Sequence, residues 1–165
     1  MTTSPPTYVY VTYIRATPDQ VWEALTDADV TARYWGHRNE SGWQEGSSWE
    51  HVRTDGSGIA DVTGTVLEAL RPERLVVTFP GSDEQRAGTP SRVTFTIEPH
   101  QDIVRLTVRH VDLPTEADRE AIAAGWPAVL ANLKSLLETG DVLPQAPWEM
   151  HAELRDAQLA GTDPS

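Results

Sequence analysis

The side chains able to do chemistry in this 165-residue chain are few and scattered. Its five histidines, His37, His51, His100, His110 and His151, include no i, i+4 pair beside a carboxylate. That spacing would set two imidazoles on one helix face, so a metal site has little support. No nucleophile motif, glycine-rich phosphate loop or dinucleotide fingerprint occurs, and no cofactor is implied. Gly56-Ser57-Gly58 lacks a following Lys-Ser/Thr and reads as a hairpin turn. His110 is in phase with Val104, Leu106 and Val108, so its imidazole should point at the covered face of a strand. There it is either a hydrogen-bonded core residue or a weak acid–base candidate. His51 is in phase with Trp49 and Arg53, on a face the sequence leaves open, and Arg53 and His110 are candidate polar handles. Glu68 follows Val66 in phase; an unpaired inward carboxylate is expensive, so it should bond at the sheet rim or be turned out by a bulge. What the chain supplies in quantity is aromatic surface, with six tryptophans. Trp35, Trp43, Trp49, Phe79 and Trp126 either pack one another or line a small-molecule pocket, where aromatic walls with few polar groups are usual. The candidate binding set is therefore Trp35, Trp43, Trp49, His51, Arg53, Phe79, His110, Trp126 and Leu130.

Composition narrows the partners. The formal charge of −12 repels phosphate backbones and anionic membrane surfaces, which disfavours nucleic acid and membrane binding. The apolar share is 39% and the mean hydropathy −0.42, values of a soluble globular protein with enough residues for a real core. No apolar run approaches the roughly 18 residues needed to span a bilayer. The start, Met1-Thr-Thr-Ser-Pro-Pro, lacks the basic and apolar regions of a secretory leader. Cysteine is absent, which removes disulfides and thiolate ligands, and a cytoplasmic location is expected.

The elements that must position these residues are legible by period. Residues 1–6 read as a loose arm and 7–140 as one domain. Tyr8 to Ile14 reads as a first strand, and Thr17-Pro18-Asp19-Gln20 as a capping box opening a helix to about Thr26. A short helix from Asp29 to Trp35 should end at Gly36. Period two then marks strands at Trp43, Ser48–Arg53, Ile59–Leu70, Arg74–Phe79, Ser91–Glu98 and Ile103–Val111. Their short connections favour an antiparallel meander. From Thr115 to Gly140 a long helix carries Ile122, Trp126, Val129, Leu130, Leu133, Leu136 and Leu137 on one face. Gly125-Trp126-Pro127 interrupts it with a proline that cannot donate to the Ala123 carbonyl; a bend is expected there, shaping a pocket or only fitting a curved sheet. Residues 141–165 read as a linker and a weakly amphipathic helix over Trp148–Leu159.

The order strand, helix, short helix, meander, long helix resembles the helix-grip fold of START-like proteins. Within that superfamily the chain is similar to the branch named after the activator of Hsp90 ATPase. The resemblance is carried by Thr17-Pro-Asp-Gln-Val-Trp-Glu-Ala-Leu-Thr26, Tyr34-Trp35, Gly64-Thr-Val-Leu-Glu68, Arg71-Pro-Glu-Arg-Leu75, and Gly125-Trp126 with Leu130 and Leu133. It implies an α+β fold in which an antiparallel sheet of six or seven strands wraps the last helix, with a cavity for a small apolar molecule between them. Members of the superfamily bind lipids, hormones or polyketides, and some are cyclases. A few actinobacterial members protect their host from enediyne antibiotics, and the Gly-Trp-Pro stretch resembles theirs. Binding without turnover is the favoured expectation, a cyclase or hydrolase using His110 the alternative, and a sequestering resistance protein a third. An Hsp90 interaction is disfavoured, because the activator carries a further N-terminal domain that this chain lacks. Oligomeric state is left open.

Overall fold

The structure, a computed structural model, describes residues 4–80 and 89–151. The chain forms strand β1 (Tyr8–Ile14), helices α1 (Pro18–Thr26) and α2 (Ala28–Trp35), and then strands β2 (His37–Ser41), β3 (Ser48–Arg53), β4 (Ala60–Leu70), β5 (Arg74–Thr78), β6 (Arg92–His100) and β7 (Ile103–Val111). Helix α3 (Glu116–Thr139) follows. The strands make one antiparallel seven-stranded sheet in the order β1-β7-β6-β5-β4-β3-β2, wrapped on α3, as the α+β helix-grip reading expects. The first strand returns to the sheet beside the last, so the connections between β2 and β7 are simple reversals.

Local chemistry sets most of these boundaries. Thr17 accepts from the Gln20 amide while the Gln20 side chain accepts from the Thr17 amide, the reciprocal box expected of that tetrapeptide. Asp27 caps α2 by accepting from Asp29 and Val30, and Gly36 ends it at φ 75°. Thr115 caps α3 and Gly140 closes it at φ 87°. The helix runs through Gly125-Trp126-Pro127 without interruption. On β6 and β7 the alternation is strict: Val93, Phe95, Ile97, Val104, Leu106 and Val108 are all buried, and Trp126, Val129, Leu130, Leu133 and Leu136 of α3 join them in one core. Burying side chains of this kind contributes about 1.5–3 kcal/mol each, which is why tertiary packing and not intrinsic propensity holds α3 in place.

One expectation is corrected and one is met. The strand expected at Trp43 lies instead at His37–Ser41, and Trp43 sits in the following loop at φ 52° with its amide donating to Ser41 Oγ. His-Arg-Asn-Glu-Ser has no β-branched residue and no Tyr, Phe or Trp, so pairing with β3 and not propensity makes it a strand. Glu68 is turned out where the β4–β5 register shifts between Val66 and Glu68, and it pairs with Arg74 at 3.1 Å.

Residues 141–148 lie back across the two helices. Buried Asn132 on α3 donates to the Tyr34 carbonyl of α2 and accepts from the Leu143 amide, both within hydrogen-bond range at 3.2 and 3.1 Å. Val142 packs on the core, and the Trp148 ring covers Gly36. Helical hydrogen bonding begins at Ala146–His151; the remainder of the helix expected over Trp148–Leu159 falls outside the described residues.

Candidate functional site

One face of the sheet and one face of α3 bring together four of the six tryptophans and fix them differently. Trp49 on β3 stands opposite Gly64 on β4, and its indole N–H donates to the Thr78 carbonyl at 2.8 Å. A Cβ on Gly64 would collide with that carbonyl and with the indole nitrogen, so only glycine lets the ring lie across β4. Trp126 on α3 donates its N–H to His110 Nδ1 at 3.2 Å. Trp35, at the last turn of α2, meets the Trp126 ring edge-on with centroids 5.2 Å apart, and Phe79 closes the triangle at 6.1 Å from Trp126. Trp43 reaches in from its loop beside Trp49 and Phe79.

The polar groups among these rings are held in closed pairs. His110 is 1% exposed. With Nδ1 accepting from Trp126, its proton sits on Nε2 and faces Ser91 Oγ at 2.9 Å, and the Ser91 hydroxyl donates to the Phe79 carbonyl at 2.5 Å. Burial holds the imidazole down at about 4, and a second ring proton would point at the indole N–H. His110 therefore stays neutral and has no nitrogen free to act as acid or base. His51 is also inward, bonded through Nδ1 to Asn39 Oδ1 at 2.5 Å and stacked on the His37 ring at 3.9 Å. Burial, followed by the nearness of His37, pushes its pKa down to about 3.

Arg53 does not join this group. The β3–β4 register shifts between His51 and Val52, and beyond it Arg53 turns outward to pair with Asp61 at 2.7 Å. Asp61 also meets His37 Nε2 at 2.8 Å, and these hydrogen bonds, Arg53's foremost, hold its carboxyl down at about 2. Leu130 is core and lines neither of the two spaces near the aromatic cluster. The inner space, between Trp35, Trp43, Trp49, Phe79 and the sheet, amounts to about 10 Å³, room for about one water. The outer one is an open recess of about 100 Å³ bounded by Trp35, Phe79, Ile122, Gly125, Trp126 and Val129. Asn39, Phe95, Ile122 and Val129 enter the site without having been singled out in the sequence as site residues, whereas Gly125 was read there only as part of the stretch that shapes a pocket; the i, i+3, i+4, i+7 spacing of Ile122, Gly125, Trp126 and Val129 was the signal available. Among the described residues no group of three or more His, Cys, Asp or Glu is placed to hold a metal ion. No described helix is long and apolar enough to cross a membrane.

The family model of Activator of Hsp90 ATPase homolog 1-like proteins matches residues 15–138, from the end of β1 to the end of α3. The chain belongs to that family. Among solved structures, CalU16 from Micromonospora echinospora superposes with a TM-score of 0.69 at 20% identity, over 92% of this chain and 86% of that one. The protein encoded by BPP1335 from Bordetella parapertussis gives 0.69 at 25% identity, over 92% and 83%. An Hsp90 activator from Plasmodium falciparum gives 0.66 at 20% identity, over 79% and 95%. The first and third likenesses are likenesses of fold. Among curated proteins none matches.

Proposed function

We propose that this family member is a binding protein for a small, mostly apolar molecule, taken up where α3, the end of α2 and the end of β5 meet. The observation that carries the reading is the recess between Trp35, Phe79 and Trp126, an aromatic-walled concavity on an otherwise acidic protein. The Trp126 N–H of its floor is engaged by His110, which in turn meets Ser91, and His51 nearby is held by Asn39. Such a wall selects by shape and ring contact and not by charge. The acid–base alternative draws no support from His110, because both its nitrogens are bonded inside the protein. The inner space holds about one water, so a larger ligand enters only by displacing Trp35, Trp43 or Phe79, the three half-buried rings of the cluster. Trp35 sits at the last turn of α2, Trp43 in the loop after β2 and Phe79 just after β5.

The test is a fluorescence titration with the uncharged dye N-phenyl-1-naphthylamine. Saturable binding with quenching of tryptophan emission is expected, and Trp126→Phe should diminish the quenching while Trp22→Phe, in α1 away from both spaces, leaves it in place. A flat titration of the wild-type protein, or equal quenching in both variants, removes the reading.

A further inference from the structure

Helix α3 carries a glycine in its interior for which the fold supplies no reason. Gly36 and Gly140 end helices at positive φ, and Gly64 has no room for a side chain. Gly125 differs on both counts: its φ is not positive, and a Cβ built on it meets no atom within 4 Å beyond its two chain neighbours and the backbone of its own helix. Glycine weakens a helix interior relative to alanine, so the bare backbone here is a cost that packing does not explain. Its surroundings do. Ile122, Trp126 and Val129 share its helix face, and together the four residues floor the recess whose walls are Trp35 and Phe79. The missing side chain leaves a notch in the middle of that floor.

We propose that the notch at Gly125 is a subsite for one uncharged planar ring of the ligand, seated against the backbone of α3 between Trp35 and Phe79. This rests on the reading of the chain as a binding protein and deepens it. The chemistry follows from the lining. None of its six residues is charged, and the one indole N–H on the floor that has a known partner, that of Trp126, is bonded to His110. An ionic group would find no counterpart there and would lose hydration on entering, and an anion would in addition meet the net charge of −12. The size admits no more than one ring: the open recess is about 100 Å³, smaller than the enclosed carbon-lined void of about 150 Å³ that takes up benzene. The two flanking rings stand at steep angles to the Trp126 ring, 61° for Trp35 and 57° for Phe79, leaving the edge-to-face approach that aromatic pairs favour.

The proposal separates stability from binding in one substitution. Gly125→Ala should raise the melting temperature by roughly 2–4 °C, because it strengthens the helix and clashes with nothing. It should also weaken N-phenyl-1-naphthylamine binding about tenfold, the lower end of what one added carbon does when it takes volume a ligand uses. A higher melting temperature with unchanged affinity overturns the subsite while leaving the binding function standing. A lower melting temperature also overturns it, since glycine would then serve the backbone. If the wild-type protein binds no dye, the functional reading itself fails and the subsite falls with it.

Discussion

The indole N–H of Trp126 donates to Nδ1 of His110 across 3.2 Å, tying α3 to β7 through two buried side chains. This one contact decides the His110 tautomer, directs its remaining proton at Ser91, and fixes the Trp126 ring as the floor of the recess. A polar pair in the middle of an apolar core also specifies register, because any slip of the helix would leave a buried donor and a buried acceptor without partners.

Acid should therefore loosen the protein well before its carboxylates titrate. His110 and His51 have folded pKa values of about 4 and about 3, below the ordinary 6.5, so the unfolded state binds more protons between those values. Their stabilisation is complete above the unfolded pKa and is lost as pH falls from about 6.5 toward 4. Denaturant titrations at pH 7 and pH 5 should differ by about 2 kcal/mol for each histidine. His110→Phe should remove its share of that difference. A stability that is flat over this window would show that neither imidazole is held neutral.

Trp126→Phe should raise the pKa of His110. The substitution removes the donor that opposes protonation at Nδ1 but leaves the burial in place, so the rise should be about one unit or less. Proton NMR titration of the His110 ring measures it. The same variant should lose about 1–3 kcal/mol of stability, because a buried acceptor loses its partner while most of the apolar volume is kept.

Gly64→Ala should destabilise the protein by about 1–3 kcal/mol through overpacking against Trp49 and the Thr78 carbonyl. Trp49 must then shift, breaking the 2.8 Å bond from its indole to Thr78. Chemical denaturation and a red-shifted tryptophan emission report the two effects. Native stability in this variant would mean that Trp49 does not lie across Gly64.

Asn132→Leu should unfasten residues 141–148 from the helices. Leucine keeps the volume but leaves the Tyr34 carbonyl and the Leu143 amide without their partner. Amide exchange at Leu143 should accelerate while β6 and β7 stay protected. Unchanged protection at Leu143 would assign the docking to Val142 and Trp148 alone.

The sequence by itself determined the parts of this protein that follow from local rules. Thr17-Pro-Asp-Gln and Thr115 open helices with hydrogen bonds made within four residues, and Gly36 and Gly140 end them. Alternation along β6 and β7 put His110 on the buried face, because strand period two needs no partner to be read. Glu68 was legible as a bulge or rim residue from the cost of burying it. Pairing decided the rest. His37–Ser41 is a strand only because β3 lies beside it, and Arg53 turns outward only because β3 and β4 fall out of register after His51. The site belongs to this second class. Trp35, Phe79 and Trp126 lie on α2, after β5 and on α3, and nothing in the intervening sequence measures the distance between their rings. Whether aromatic residues leave a cavity or fill it depends on the rotamers that all of them adopt at once. That is a property of the packed interior, and here it leaves about one water's space inside and an open notch at Gly125 outside.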